Sequence, residues 1–221
     1  MTPRLLDSLS PEARQLLLQQ CRRTRFGSGA FLFHSGEAGD TIHMIASGRV
    51  AVLAGGRLGE PLMLTILGPG DVFGELALLN AQHRRTATIQ ALSATETLVL
   101  HRSDFDELRH SHPGVDRFLI ALLAAQVERL TQQLIETTEL PAHTRIYRRL
   151  AYLGTVFEVA GTSAPIPVTQ AQLASMAGVK LRITSEVIRR AKADGLVTVS
   201  KRRVAVLDWP EVHRRAHPRL T

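Results

Sequence analysis

Cysteine is almost absent from this chain of 221 residues, in which Cys21 is the single example. One thiol cannot form an intramolecular disulfide, and it cannot complete a zinc site or an iron–sulfur cluster that needs several cysteines. The nine histidines are scattered, and none lies in a motif that would indicate a haem ligand. We therefore expect no prosthetic group and no metal site, and this use of cysteine favours the cytoplasm.

Long apolar runs are also missing. The longest covers residues 118–125, eight in all, whereas a membrane-spanning helix needs about 20. Asp7 and Glu12 interrupt any apolar core that a signal peptide would need at the N-terminus. We therefore expect no membrane partner.

Positive charge is concentrated at one end of the chain. Residues 141–221 carry 14 Lys and Arg against 5 Asp and Glu, a net charge of +9, whereas residues 1–140 have a net charge of −2. A basic segment behind a near-neutral one suggests a polyanionic partner, although a solvated basic surface would show the same skew.

The sequence pattern of the first half of the chain is typical of a small all-β domain. After a short helix that begins at Ser10-Pro11-Glu12, Gly-containing turns separate short β-like runs. The predicted strands are residues 30–33, 41–45, 49–53, 62–66, 86–91 and 96–100. This pattern favours a sandwich or a barrel.

A long helix is predicted from about Val115 to Thr138. Its apolar side chains recur three and four residues apart, at Phe118, Leu119, Leu122, Leu123, Val127, Leu130 and Leu134. A helix of about 24 residues spans about 36 Å, more than the preceding domain requires. We expect it to pair with a partner chain in a homodimer, although the stripe can also pack on its own domain. Ser103 is predicted to cap a shorter helix before it, over residues 104–110.

The last third reads as a helix-turn-helix followed by a hairpin. Helices are predicted over residues 145–155, 169–177 and 181–193, with a loop over 156–167 and strands over 196–199 and 203–207. Thr169 and Gln172 form a capping box at the start of the second of these helices, and Gly178 makes the turn into the third. Asp208 to Glu211 look like a further capping box.

The densest chemical signal is the run from Phe73 to Leu79, followed by Arg84 to Thr88. An arginine guanidinium is always charged and can donate two parallel hydrogen bonds to a phosphate. An ionised carboxylate only accepts hydrogen bonds and suits a sugar hydroxyl. Arg85 and Glu75 together therefore match a ribose phosphate. This segment resembles the phosphate-binding cassette of the cyclic-AMP receptor protein / fumarate–nitrate regulator (CRP/FNR) superfamily, and the resemblance extends over essentially the whole chain.

The resemblance implies an α+β fold: an N-terminal β-roll (a cupin-like jelly roll), a long dimerisation helix and a C-terminal winged helix-turn-helix. The implied domains are residues 1–114, 115–140 and 141–221. It also implies a cyclic nucleotide effector, most simply cyclic AMP, and double-stranded DNA, a second copy of the chain and RNA polymerase as partners. The implied ligand-binding residues are Val52, Leu64, Thr65, Gly74, Glu75, Leu76, Ala77, Arg85, Thr86 and Thr131.

Two positions on the long helix depart from the cyclic-AMP branch. That branch has adjacent hydroxyl residues against adenine, and here Leu130 precedes Thr131, so only the second fits. Gln126 stands where the branch often has arginine. The alternatives are a constitutive regulator, a regulator that answers another metabolite, or a degenerate β-roll in which Gly74 only makes a turn and Arg85 pairs with Glu75 or Asp71.

The predicted DNA-binding residues lie on the helix-turn-helix and the hairpin: Thr169, Gln170, Lys180, Arg182, Ser185, Glu186, Arg189, Lys201 and Arg202. Arginine can read guanine and glutamate can accept from cytosine, while the hairpin cations would meet phosphates. Glu186 replaces an arginine of the family pattern, so we expect a different operator half-site. A signalling adaptor whose basic domain binds protein is the alternative. With no nucleophile–base pair in view, we do not expect an enzyme.

Overall fold

The computed structural model describes residues 10–55, 61–200 and 203–218. Contacts divide the chain into one unit of residues 1–61 and 65–130 and a second of residues 62–64 and 131–221. In the described part no helix is long and apolar enough to cross a bilayer. The predicted domain boundaries at 114 and 140 stay a prediction.

Two four-stranded sheets build the first domain. One has the strand order β1-β8-β3-β6 and the other β2-β7-β4-β5. The strands are β1 (Arg22–Phe26), β2 (Phe31–Phe33), β3 (Thr41–Ser47), β4 (Val50–Ala54), β5 (Leu62–Leu67), β6 (Val72–Phe73), β7 (Thr88–Ala91) and β8 (Thr95–His101). Apolar residues from five strands fill the space between the sheets, among them Phe33, Ile45 and Phe73.

The alternation of side chains along β3 explains why this strand contributes to two hydrophobic clusters. Successive side chains of a strand point to opposite faces. Ile42 and Met44 therefore pack with the helices on one side of the sheet, whereas Ile45 packs between the two sheets. The helices of this unit are α1 (Pro11–Gln20), α2 (Glu75–Leu79), α3 (Arg102–Ser111) and the first part of α4 (Gly114–Glu139).

The predicted apolar stripe of α4 divides into two parts. Phe118, Leu119 and Leu122 are buried in the core beneath the sheet, and Leu123 is half-buried. Val127, Leu130 and Leu134 are more than half exposed, at 62%, 57% and 68%. The stripe is therefore a core contact at its start and an uncovered apolar surface farther along.

The second domain has the predicted helix-turn-helix layout. Its elements are α5 (Ala142–Val156), β9 (Pro165–Ile166), α6 (Gln170–Ala177), α7 (Leu181–Ala193), β10 (Val197–Ser200), β11 (Arg203–Val206) and α8 (Trp209–Ala216). Strands β10, β11 and β9 pair in that order into a three-stranded wing. Gly178 ends α6 in the left-handed region, with φ 60° and ψ 39°.

Several local predictions were wrong in detail. Helix α3 begins at Arg102 with His101 as its N-cap, so Ser103 lies inside the helix and does not cap it. The predicted loop 156–167 contains strand β9, which adds to the wing. Only half of the second capping box forms: the Asp208 side chain accepts from the Glu211 amide, while the Glu211 carboxylate binds Arg214 and Arg215 instead.

Candidate functional site

Gly74 begins the cassette between β6 and α2. It has φ 89°, which favours glycine, and an added Cβ would lie 2.7 Å from Nη1 of Arg85 and 2.9 Å from the carbonyl oxygen of Thr41. Gly74 therefore serves both the turn and the close approach of the arginine.

The Arg85 guanidinium is buried, with 6% of the residue exposed. Its Nη1 donates to the carbonyl oxygens of Thr41 (2.7 Å) and Gly74 (3.2 Å), and its Nη2 donates to the Thr41 hydroxyl (2.5 Å). Its Cζ lies 4.0 Å from the centroid of the Phe33 ring. The Nε–H is buried without a hydrogen-bond partner. The protein therefore binds one edge of the guanidinium and leaves a buried donor unsatisfied, which is costly in a protein interior.

Glu75, at the first position of α2, is also buried. Burial raises the pKa of its carboxyl group, and the hydrogen bond from Gln126 opposes that rise. Gln126 Nε2 donates to Glu75 Oε1 at 2.8 Å. In the described residues Arg85 forms no ion pair with Glu75 or Asp71, so the pairing that a degenerate site would have is not what the structure shows.

Glu75 and Arg85 are connected through the peptide unit between Gly74 and Glu75. Arg85 contacts the Gly74 carbonyl, and that carbonyl belongs to the peptide bond that joins Gly74 to Glu75. Burial lowers the pKa of Arg85, and the nearby carboxylates of Asp40, Glu37 and Glu75 oppose that shift. The cation and the carboxyl group therefore flank the same turn, and their part in binding a ribose phosphate stays a prediction.

The other predicted ligand residues differ in exposure. Ala77 and Thr65 are buried, Val52 is half-buried, and Leu76 and Thr86 are exposed. Leu64 and Thr131 are exposed as well and belong to the second unit. Their part in a ligand site stays a prediction.

Sequence reasoning missed three residues around Arg85. Thr41 and Phe33 contact the guanidinium directly, and a Cβ on Gly39 would lie 2.7 Å from its Nε. The three precede Arg85 by between 44 and 52 residues in the chain. Only the pairing of the strands brings them to Arg85, so no local motif could have indicated them.

The helix-turn-helix begins as predicted. The Thr169 side chain accepts from the Gln172 amide at 3.1 Å, and Gln172 Oε1 accepts from the Thr169 amide at 2.8 Å, which completes the capping box. The Ser185 hydroxyl donates to Gln170 Oε1 at 2.7 Å and joins the two helices. Thr169, Gln170 and Ser185 therefore have structural contacts in addition to their predicted role at DNA.

The charged side chains of α7 are not all equivalent. Lys180, Arg182 and Arg189 are exposed, whereas Glu186 is half-buried and binds Arg190 Nη2 at 2.6 Å. Glu186, Arg189 and Arg190 line a groove of about 1200 Å³ with the start of α5 and with α8. Lys201 and Arg202, predicted at the hairpin turn, lie outside the described residues.

Comparison with known proteins matches both halves of the chain. Residues 23–112 match the cyclic nucleotide-binding domain, and residues 144–215 match the Crp-like helix-turn-helix domain. The cyclic AMP receptor protein of Thermus thermophilus is 30% identical over 209 residues, 92% of this chain and 94% of that protein. A CRP-like cAMP-activated global transcriptional regulator of Mycobacterium tuberculosis is 27% identical over 222 residues, 96% of each chain.

A solved structure supports the fold independently. The c-di-GMP responsive global regulator CLP of Xanthomonas campestris has a TM-score of 0.75 and covers 90% of this chain and all of its own, at 22% identity. At that identity the likeness concerns the fold alone.

The β-roll, the long helix and the winged helix-turn-helix together define a ligand-sensing, DNA-binding regulator. The chain belongs to the CRP/FNR superfamily, which confirms the resemblance and the α+β fold predicted from the sequence. It is a transcription regulator with a cyclic nucleotide-binding domain, and the proteins of its family that it matches are regulators and not enzymes.

Proposed function

We propose that cyclic AMP is the effector and that it binds at the turn between Gly74 and Ala77. The observation that carries this proposal is the buried Arg85 guanidinium with its unsatisfied Nε–H. A phosphate oxygen is the acceptor that such a fork prefers, and a charge-assisted hydrogen bond would offset the burial of the cation. The names of the relatives from T. thermophilus and M. tuberculosis also favour cyclic AMP.

Each of the other ligand residues has a proposed part in the same site. Glu75 accepts from a ribose hydroxyl, and Thr86 donates to the phosphate beside Arg85. Leu76 and Ala77 border the sugar and the phosphate, while Val52, Leu64 and Thr65 line the pocket. Thr131 contacts the purine. Leu130 supplies no hydroxyl group to the purine. We therefore expect this protein to discriminate between adenine and guanine less strongly than the cyclic-AMP branch does.

The proposed regulator is a homodimer that works in the cytoplasm with RNA polymerase. The exposed apolar surface of Val127, Leu130 and Leu134 on α4 supports the pairing of two chains, because such residues along one stripe are typical of a helix–helix interface. Effector binding beside α4 would change how the two helices pair. It acts only through its different affinities for the two arrangements.

At DNA we propose that α7 enters the major groove. Arg182 and Arg189 read base edges, Lys180, Lys201 and Arg202 meet phosphates, and the start of α6 at Thr169 and Gln170 faces the backbone. Ser185 and Glu186 complete the reading surface. Because Glu186 already binds Arg190, its carboxylate is partly neutralised and repels phosphates less than an unpaired one would.

The constitutive regulator remains the second candidate, and one observation favours it. The protein itself satisfies most of the polar groups of the cassette, since Thr41 and Gly74 bind Arg85 and Gln126 binds Glu75. A site that is satisfied without ligand can hold the DNA-binding form without effector.

Calorimetric titration with cyclic AMP and cyclic GMP separates the two candidates. We expect the wild type to bind cyclic AMP, Arg85→Lys to lose at least 100-fold in affinity because lysine has no fork, and Arg84→Lys to bind as the wild type does. Arg84 is the matched control, since it is adjacent and exposed. No binding by the wild type, together with DNA binding that ignores both nucleotides, would establish the constitutive form.

A further inference from the structure

His43 is a polar residue enclosed between the two sheets. It is 6% exposed, it stacks on Phe73 with ring centroids 5.0 Å apart and 13° between the planes, and its centroid lies 5.8 Å from that of Phe33. Phe73 immediately precedes Gly74, and Phe33 lies under Arg85. The imidazole therefore lies directly beneath the cassette.

Both ring nitrogens of His43 have polar neighbours. Nε2 lies 3.1 Å from the Thr41 hydroxyl, and Nδ1 lies 3.3 Å from the Thr97 hydroxyl. Thr97 is completely buried on β8 and pairs with Ile45, so it is the diagonal neighbour of His43. The same Thr41 oxygen accepts from Arg85 Nη2.

The donor and acceptor properties of these groups fix the direction of each hydrogen bond between them. Arginine only donates, so Thr41 accepts from it and has one hydrogen of its own to donate. His43 Nε2 lies within reach of that hydrogen and accepts it when the ring is neutral with its proton on Nδ1. Nδ1–H then donates to Thr97. A row of donors and acceptors runs from Arg85 through Thr41 and His43 to Thr97.

Electrostatics favour the neutral ring. Burial, together with the nearby Arg85 cation, lowers the pKa of His43 to about 3. An imidazolium would carry a proton on Nε2 and could not accept from Thr41. The ring therefore stays an acceptor at neutral pH.

We propose that His43 is a positioning residue for the effector site, acting through Thr41 to fix the orientation of Arg85. A guanidinium whose Nη1 and Nη2 are held by Thr41 and Gly74 presents its remaining donors, Nε–H and the second hydrogen of Nη2, to the phosphate in one orientation. The proposal rests on the proposed role of Arg85 at the phosphate. An apolar ring at position 43 would fill the same space but leave the Thr41 hydroxyl without an acceptor for its hydrogen. That hydroxyl would then rotate toward another acceptor, and Arg85 Nη2 would lose its fixed partner.

Thr97→Val is the sharpest test, because it removes the far end of the row and leaves Arg85, Thr41 and His43 in place. Thr95→Val is its matched control: Thr95 lies on the same strand, is 2% exposed, and donates to the carbonyls of Arg49 and Ser93 instead. We expect Thr97→Val and His43→Phe to weaken cyclic AMP binding about tenfold in calorimetry, and Thr95→Val to change it less than twofold. Thr97→Val binding with wild-type affinity overturns the proposal.

Side-chain ¹⁵N NMR of the ligand-free protein tests the same row without an effector. We expect a neutral His43 with a protonated Nδ1 and an unprotonated Nε2 from pH 5 to 8, and a loss of that tautomer preference in Thr97→Val but not in Thr95→Val. A ring protonated on Nε2, or an imidazolium, overturns the proposal. If the wild type binds neither cyclic nucleotide and the NMR result holds, the effector assignment fails and the positioning of Arg85 by His43 survives.

Discussion

Gln126 on α4 donates a hydrogen bond to the buried carboxyl group of Glu75, with Nε2 and Oε1 separated by 2.8 Å. This contact ties the cassette to the long helix α4. It also occupies an oxygen that we propose for a ribose hydroxyl. Gln126 therefore links the sensor to α4, and under the proposed binding mode it also competes with the effector for Glu75.

Gln126→Ala is expected to increase the affinity for cyclic AMP several-fold. The substitution frees Glu75 Oε1, so the ribose hydroxyl no longer has to displace an amide. Calorimetry measures the change, and Gln132→Ala, on an exposed turn of the same helix, is the control. A weaker affinity in Gln126→Ala would mean that the amide contacts the ligand instead of competing with it.

The β-roll is expected to lose stability in acid through His43. Its pKa is lowered from 6.5 to about 3 in the folded protein, so below pH 6.5 the unfolded chain takes up a proton that the folded chain does not. The free energy of unfolding then falls by about 1.4 kcal/mol for each pH unit down to about pH 3. Urea unfolding of the wild type and His43→Phe between pH 7 and 4 isolates this contribution. Parallel curves for the two proteins would contradict the prediction.

The sequence predicted those elements of the fold whose own residues show a recognisable local pattern. The capping box at Thr169 and the glycine turn at Gly178 are each recognised from residues within a single turn. Strand β1 was missed because its sequence, Arg22–Phe26, has four polar residues in five and lacks the apolar alternation of a half-buried strand. Strand β9 was missed because it has two residues, one of which is Pro165.

The candidate site was only partly predictable, for a different reason. The cassette motif indicated Arg85 and Glu75, whereas the partners of those two side chains come from distant strands and from α4. Thr41 is 44 residues from Arg85, and Gln126 is 51 residues from Glu75. A sequence gives no register between such segments until the strands pair. The motif therefore identifies the candidate ligand-binding side chains but not the residues that form hydrogen bonds with them.

Leu134→Glu is expected to weaken the proposed homodimer. Leu134 is 68% exposed on the uncovered part of α4, and a carboxylate opposite its symmetry mate would put two like charges into an apolar contact. Sedimentation velocity should show a shift from dimer to monomer at micromolar concentration. Gln132→Glu makes the same addition of charge two residues away, on the opposite side of the helix, and should leave the dimer intact. Equal effects in both variants would exclude this stripe as the interface.

Gly154→Ala is expected to destabilise the winged-helix domain, although alanine favours a helix over glycine by about 1 kcal/mol. An added Cβ would lie 2.1 Å from Cη2 and 2.4 Å from Cζ3 of Trp209. That indole is buried and anchored by a hydrogen bond from Nε1 to the Thr162 carbonyl at 2.6 Å, so it cannot move away cheaply. Overpacking of this kind costs roughly 1–3 kcal/mol.

Thermal unfolding of Gly154→Ala, Trp209→Phe and the double variant measures this contact. The smaller ring makes room for the methyl group, so the double variant should be more stable than the sum of the two single losses implies. Strict additivity would show that the methyl group is accommodated without the indole.

Glu186→Gln is expected to strengthen binding to random-sequence duplex DNA. The carboxylate binds Arg190 Nη2 at 2.6 Å, so its neutralisation removes a negative charge from α7 and releases a cation for a phosphate. The slope of log affinity against log salt should steepen by about 0.9 for one added phosphate contact. The fold should keep its stability within about 0.5 kcal/mol, because both partners of the pair are substantially exposed.

Two further variants decide how Glu186 acts at DNA. Glu158→Gln makes the same change of charge outside the helix-turn-helix and should leave the salt slope as it is. In an Arg190→Ala background, Glu186→Gln should lose most of its effect on the slope, because the cation that it releases is gone. Weaker binding of Glu186→Gln to operators selected from a random pool, with random-sequence binding unchanged, would show instead that the carboxylate accepts a hydrogen bond from a base, for which cytosine is the expected partner.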